Sequence, residues 1–233
     1  MFFNFFIFKF TYNITKISII GLNINMKWIN LLNNCKIPYN IYKLNKNDST
    51  IICNRYNNQN HLTIILHGSI YIIKIFENKK AIPIVILNKN SLFNTTDISN
   101  RFYYQLIALD KTYILTVKID NASELSSELM TNIIESYKKT LNLYQIMHET
   151  MNQKHKKNRV IQMILFFLFE FGIVNQTQIQ IPFKVSQKNL AKITGTNKKT
   201  VNQIINTITK KSNITYSKKK SIQINNIFNF TEK

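Results

Sequence analysis

Lys198, Lys199, Asn202 and Gln203 fall together on one side of the segment NKKTVNQII. Ammonium groups donate to phosphate oxygens and to guanine O6 and N7, and amides match the paired donor and acceptor on the adenine edge. Val201, Ile204 and Ile205 occupy the other side at the three-and-four spacing of a buried helix face. Thr200 lies in the same first turn as the two lysines. Upstream, VSQKNLAKI carries a second apolar face in Leu190, Ala191 and Ile193. Ser186 is placed to cap that first helix, its hydroxyl accepting from an amide two or three residues on, and Thr196 or Asn197 to cap the second. Gly195 stands where the chain must turn sharply, a position that favours positive φ. Two short helices hinged at a glycine, with one donor-rich face, read as a helix-turn-helix. Ser186 and Gln187, at the entrance to the first helix, are expected to hold phosphate.

That face must be positioned by the rest of a chain of 233 residues, long enough for one large or two modest domains. Its formal charge of +20 favours polyanions, nucleic acid before an anionic membrane. Of the 31 basic residues 28 are lysine, beside 33 asparagines, residue choices that an A/T-rich genome favours. Composition therefore accounts for part of the charge. It does not account for the C-terminal third, where 15 Lys and Arg from Lys154 onward meet only Glu170 and Glu232.

No catalytic constellation stands out, and the chain reads as a non-enzyme. Cys35 and Cys53 give no disulfide framework, and His61, His67, His148 and His155 follow no ligand pattern, so no metal is expected. A metal oxygenase on a β-roll would need clustered His and carboxylate ligands. Residues 2–25 are apolar but broken by Asn4, Lys9, Asn13 and Lys16, short of the ~18 uninterrupted residues of a spanning helix. Residues 1–27 are an uncertain N-terminal extension, and a basic membrane-associated protein anchored by residues 1–25 is the alternative reading.

From Trp28 to about Lys118 the chain reads as short β-branched runs. They are Ser49–Cys53, Leu62–Leu66, Ser69–Phe76, Ile82–Leu87, Tyr103–Leu109 and Tyr113–Ile119. Gly68, Asn57-Asn58 and Glu77-Asn78-Lys79 mark turns, which predicts an antiparallel roll over 28–122. The period then changes. Met130, Ile134, Tyr137, Leu141, Tyr144, His148 and Met151 recur at alternating spacings of four and three, a heptad seam on a long helix over 123–153. Such a narrow seam usually packs against a copy of itself, and the alternative is a helix lying on its own roll. After the basic break Lys154–Arg159 comes an apolar helix, Val160 to Phe171, with Gly172 as its C-cap. A short strand at Ile179–Phe183 precedes the helix-turn-helix. Ile214–Tyr216 and Ile222–Ile224 flank the tip Lys218, Lys219 and Lys220, a hairpin wing whose lysines are expected on phosphate. Residues 154–233 thus form a winged helix-turn-helix. The fold class is α+β.

In this order and at the residue level, HETMNQKHKKNRVIQMILFFLFEFGI, IQIPFKVSQKNLAKITGTNKKTVNQIINTI and ITYSKKKSIQI resemble the CRP/FNR transcription regulators. Within them the nitrogen-control branch of cyanobacteria and red algal plastids is most similar. The resemblance covers 123–224 well and 49–119 more weakly, through LTIILHGSIYII and NRFYYQLIAL. It implies a roll like a cyclic-nucleotide-binding domain, a homodimer that reads two-fold symmetric double-stranded DNA with recognition helices about 34 Å apart, and contact with a bacterial-type RNA polymerase. It also implies a nitrogen-responsive role in the plastid stroma, or otherwise in the cytoplasm, with no membrane partner.

The departures from that family carry further expectations. The stretch Ser91–Asp97 has neither the glycine nor the glutamate of a phosphate cassette, which argues against cyclic AMP. The nitrogen-control branch holds 2-oxoglutarate through a turn near Phe93, an arginine matching Arg101, and an arginine and a glutamate on the dimer helix. This chain keeps Arg101 but has Thr140 and Gln145 at the helix positions. Phe93, Arg101 and Gln145 are therefore the candidate effector residues for 2-oxoglutarate, with DNA binding that needs no effector as the other reading. Lysine and amides where the family has arginines imply a half-site richer in A/T.

Overall fold

The computed structural model of the chain describes residues 26–52, 61–94, 102–118, 125–217 and 221–225. It opens on a short helix, α1 (Met26–Asn34). Strands β1 (Tyr39–Leu44), β2 (Ser49–Ile52), β3 (His61–His67), β4 (Ser69–Phe76), β5 (Ala81–Asn88), β6 (Leu92–Asn94), β7 (Phe102–Ala108) and β8 (Thr112–Lys118) follow. They make two four-stranded antiparallel sheets, ordered β1-β8-β3-β6 and β2-β7-β4-β5, which face each other as a roll. Every predicted run between 49 and 119 overlaps one of these strands, with Leu109 falling just past the end of β7. Cys53, Ile119 and the predicted Asn57-Asn58 turn lie outside the described residues.

Two expectations for this half are corrected. Trp28 begins no strand: it sits in α1, which starts at Met26, inside the supposed extension. Trp28, Ile29, Leu31 and Leu32 recur at helical spacing and are buried against Ile64, Leu66, Leu92 and Leu115 of the first sheet. β1 and β6 were not predicted. β1 packs only one side at a sheet edge, so its residues alternate between half-buried and exposed rather than forming an apolar run. β6 is three residues long, too short to show a period. Gly68 links β3 to β4 at φ +83°, and a side chain there would collide with the Lys111 carbonyl and Thr112.

Beyond the roll come helices α2 (Ser127–Asn152) and α3 (Lys156–Phe171), then strands β9 (Ile173–Asn175) and β10 (Gln178–Gln180). Helices α4 (Gln187–Ile193) and α5 (Lys198–Lys211) and strands β11 (Ile214–Tyr216) and β12 (Ile222–Ile224) complete the described chain. The third sheet is ordered β11-β12-β10-β9. Helix α3 starts four residues earlier than predicted, because Lys156, Lys157 and Asn158 make an exposed first turn while Arg159 tucks beside α4. Gly172 is its C-cap, as expected, but at φ −66° rather than in the left-handed region. Glycine is needed there for space: a Cβ would strike the Leu168 carbonyl and Ile179. The strand expected at Ile179–Phe183 shrinks to β10, paired with the unpredicted β9; Ile181 N–H still donates to the Ile222 carbonyl at 3.1 Å, and the Ile181 and Phe183 side chains enter the core. Phe167 is the centre of that core, its ring 5.9 Å from Phe166 and Phe171 and 5.8 Å from Phe183.

Helix α2 carries two stripes, of which hydrophobicity revealed one. Ser126 caps it, accepting from Leu129 N–H at 3.2 Å. The side buried on its own roll is Leu129, Ile133, Ser136, Thr140, Leu143, Met147 and Thr150, a heptad pattern of its own partly written in small polar residues. The predicted seam lies one residue round the helix from it. Ile134 and Leu141 are 47% and 65% exposed, and His148 is exposed. Met130, Tyr137, Tyr144 and Met151 are half-buried at the boundary. The helix therefore does lie on its roll, and the apolar seam is what that packing leaves uncovered.

Candidate nucleic-acid interface

The two helices of the motif form where their local sequence directs. Ser186 Oγ accepts from Asn189 N–H at 3.0 Å, and Asn197 Oδ1 accepts from Thr200 N–H at 2.8 Å, so each first turn is capped by a side chain. Of the two residues proposed for the second cap, Asn197 takes it. Thr196 instead pairs its hydroxyl with that of Thr194 at 3.1 Å. Gly195 turns at φ +61°, and a Cβ there would meet Arg159 Nη1 and Met151 Cε at ordinary contact distances of 3.6 and 3.7 Å, so the requirement there is conformational. Thr194, fully buried, donates from its hydroxyl to the Leu190 carbonyl at 2.8 Å, and Arg159 Nη1 donates to the Thr194 carbonyl at 3.4 Å. The elbow is thereby held from α3. Leu190, Ala191, Ile193, Val201, Ile204 and Ile205 are all buried, in one cluster with Val160, Met163 and Ile164 of α3.

Burying that side of α5 turns the other outward. Lys198, Lys199, Asn202 and Gln203 are exposed, with Thr200 half-buried among them. Asn206 extends the exposed face by one turn; it follows Asn202 by four residues, and that spacing could have found it. No acidic residue lies on α5, and its first turn carries two lysines. The amide end of a helix holds roughly half a positive charge, so each cation there is unfavourable by about 0.3–1 kcal/mol. An anion docked at that end reverses the sign, which makes the arrangement costly alone and favourable against a polyanion.

The entrance to α4 differs in detail from the expectation. Gln187 Nε2 donates to Asn202 Oδ1 at 3.0 Å, so Gln187 braces a residue of the exposed face instead of standing free for phosphate. Ser186 retains its hydroxyl hydrogen while serving as the cap. The two wing strands form where expected, and their register sets Ile214 opposite Ile224, Thr215 opposite Gln223 and Tyr216 opposite Ile222. Ser217 N–H donates to the Ser221 carbonyl at 2.9 Å, closing the hairpin. The tip lysines Lys218, Lys219 and Lys220 lie outside the described residues. Tyr216 OH donates to the Val185 carbonyl at 2.9 Å and ties the wing to the start of the motif. Burial pushes the Tyr216 phenol above its ordinary range, which keeps that donor protonated.

The candidate effector residues are not gathered in this way. Phe93 is buried in β6, its backbone in register with Thr63 of β3. Gln145 is exposed on α2 and donates to Glu149 Oε1 at 2.8 Å. Arg101 lies outside the described residues. Thr140 is buried, and its hydroxyl accepts from Leu92 N–H at 2.9 Å while standing 2.7 Å from the Leu92 carbonyl. It stitches α2 to β6. Thr140→Val keeps the shape but leaves a buried amide without a partner, and is expected to cost about 1–3 kcal/mol. Urea unfolding followed by circular dichroism reads this, and an unchanged midpoint contradicts it.

Among the described residues no group of three or more His, Cys, Asp or Glu could hold a metal ion, and no helix is long and apolar enough to cross a membrane. No family model matches the chain. It is 27% identical over 208 residues to a Porphyra purpurea protein named as an HTH-type transcriptional regulator, ycf28, covering 84% of this chain and 82% of that one. It is 23% identical over 164 residues to the global nitrogen regulator of a Nostoc species, covering 67% and 73%. Among solved structures it matches TTHA1359, a transcriptional regulator of the CRP/FNR family from Thermus thermophilus, at a TM-score of 0.59 and 16% identity over 81% of this chain and 95% of that one.

The chain has the fold of the CRP/FNR regulators and is similar in sequence to named transcriptional regulators. In this chain the roll and the winged helix-turn-helix meet directly. Asn88 Nδ2 donates to Glu170 Oε2 at 3.3 Å, and Lys46 Nζ donates to the Lys184 carbonyl at 3.3 Å. Lys139 of α2 donates to the Lys89 carbonyl at 2.6 Å beside that junction.

Proposed function

We propose that this chain is a homodimeric, sequence-specific DNA-binding regulator of transcription. The observation that carries the reading is the outer face of α5: Lys198, Lys199, Asn202 and Gln203 exposed together, on a helix without acids. The lysines and amides are placed to read base edges, Asn202 with its orientation set by Gln187. Ser186 and the wing lysines Lys218, Lys219 and Lys220 are assigned to phosphate. The seam Met130, Ile134, Tyr137, Leu141, Tyr144, His148 and Met151 pairs two copies.

The nitrogen-regulator relatives support a nitrogen-responsive role. The Porphyra relative and the A/T-biased residue choice support a plastid stroma, with a bacterial-type RNA polymerase as the contact at promoters. The engagement of Thr140 by Leu92 favours DNA binding that does not wait on 2-oxoglutarate.

The test is a salt series. Fluorescence anisotropy with a duplex selected by the protein is expected to give a straight fall of log affinity with log salt, at about −0.9 per phosphate neutralised. Lys198→Gln with Lys199→Gln is expected to bind more weakly at low salt, with a slope shallower by about one to two. A flat response in the unaltered chain rejects the electrostatic basis of the reading.

A further inference from the structure

Between the outer face of the β2-β7-β4-β5 sheet and helix α4 lies a cavity of about 480 Å³, within the roughly 300–1,000 Å³ usual for small-molecule sites. Its floor follows from strand register. Tyr71 of β4 stands opposite Ile107 of β7, and Ile73 stands opposite Gln105 on one side and Pro83 on the other, so all of these share one face. Pro83 is tolerated because β5 is an edge strand and the register shifts beside it. The roof is the turn of α4 carrying Asn189, Lys192 and Ile193.

The lining is mainly apolar, and the polar groups on it are unengaged. Tyr71 is only 5% exposed and lines the cavity, and no described residue hydrogen-bonds to its hydroxyl. Burial pushes its phenol well above the ordinary range, so the group is a neutral donor at any physiological pH. The side-chain amides of Gln105 and Asn189 also face this space without a described partner, and Lys192 stands at the edge. No acidic side chain lines it. The Tyr71 hydroxyl, with no described acceptor, can donate to an occupant. Every one of these groups can donate and one is cationic, so the complement is an acceptor with negative charge on an apolar body.

We infer that this cavity is a binding site for a small apolar carboxylate, its hydrocarbon part on Ile73 and Ile107 and its carboxylate toward Tyr71 OH and Lys192. One wall belongs to the roll and the other to the helix-turn-helix, so an occupant fastens α4 to the roll. That regulatory consequence rests on the DNA-binding reading; the binding itself does not.

Isothermal titration of the full chain with naphthylacetate, phenylbutyrate and decanoate tests the site without DNA. At least one is expected to bind at one site per chain, and naphthylethanol, lacking the charge, at least tenfold more weakly than naphthylacetate. Tyr71→Phe removes one oxygen from a buried ring and is expected to weaken binding about tenfold, the fold-change of one charge-assisted hydrogen bond. Lys192→Met, on an exposed residue, is expected to weaken it severalfold. Ile107→Trp fills the space and is expected to abolish binding, with circular dichroism to verify folding. Absence of binding by all three carboxylates at millimolar concentration overturns the inference. Binding that Tyr71→Phe and Lys192→Met both leave unchanged places the probe elsewhere and overturns it equally.

Discussion

A chain carrying Ile134→Glu and Leu141→Glu is expected to sediment as a folded monomer and to bind its selected duplex about 10²–10⁴-fold more weakly than the unaltered protein. Both side chains are largely exposed on α2 in the single chain, at 47% and 65%, so substitution there should leave stability within about 0.5 kcal/mol. In the proposed two-fold dimer each of them meets the partner helix near the axis, where residues contact their own copies or close neighbours. Two glutamates per helix then place four carboxylates in one desolvated seam, and association fails. With the recognition helices uncoupled, each half-site is bound alone and the gain from simultaneous engagement disappears. Analytical ultracentrifugation and anisotropy read the two halves of this result separately. A variant that stays dimeric moves the contact off the seam. A variant that is monomeric yet binds undiminished removes the dimer from the recognition mechanism.

Phe167→Ala has the largest expected effect on stability. Phe167 is fully buried, with three other phenylalanine rings within 6 Å, in the cluster that joins α3 to the hinge segment around Phe183. Removing a ring of that kind costs about 3–5 kcal/mol, from the lost transfer energy and the cavity left behind. For a chain of this length that corresponds to a fall in melting temperature on the order of 6–20 °C. Differential scanning calorimetry measures it, and a shift below about 3 °C shows that the neighbouring rings collapse into the space. Because α3 is the helix on which α4 and α5 rest, loss of DNA binding at temperatures where the roll is still folded is the accompanying expectation.

Much of the interface was legible because its determinants are local. A serine or asparagine accepts from an amide three residues on whatever surrounds it, and Ser186 and Asn197 do so. Gly195 marks a positive φ because alternatives there are sterically poor. The exposed face of α5 follows from the spacing of Val201, Ile204 and Ile205 alone. Gln187 shows the limit of such reading. Its reach to Asn202 spans 15 residues of sequence and exists only once the two helices cross.

The same division holds for the whole chain. Sequence by itself determined most strand runs of the roll, the Ser186 cap, the hinge glycine, the two wing strands and the donor-rich side of α5, all of which depend on neighbours within a few residues. Only the tertiary structure decided that Trp28 begins no strand but packs from a helix, since its choice depends on a sheet formed by distant segments. It decided which stripe of α2 is buried on its own roll, because Ser136, Thr140 and Thr150 are small enough for close approach but carry no hydrophobic signature. It also decided where a nearly buried Tyr71 lines an empty space, since the walls around it come from β4, β5, β7 and α4. Local propensities set what each segment can be. The surfaces left over when the segments pack set what the molecule can bind.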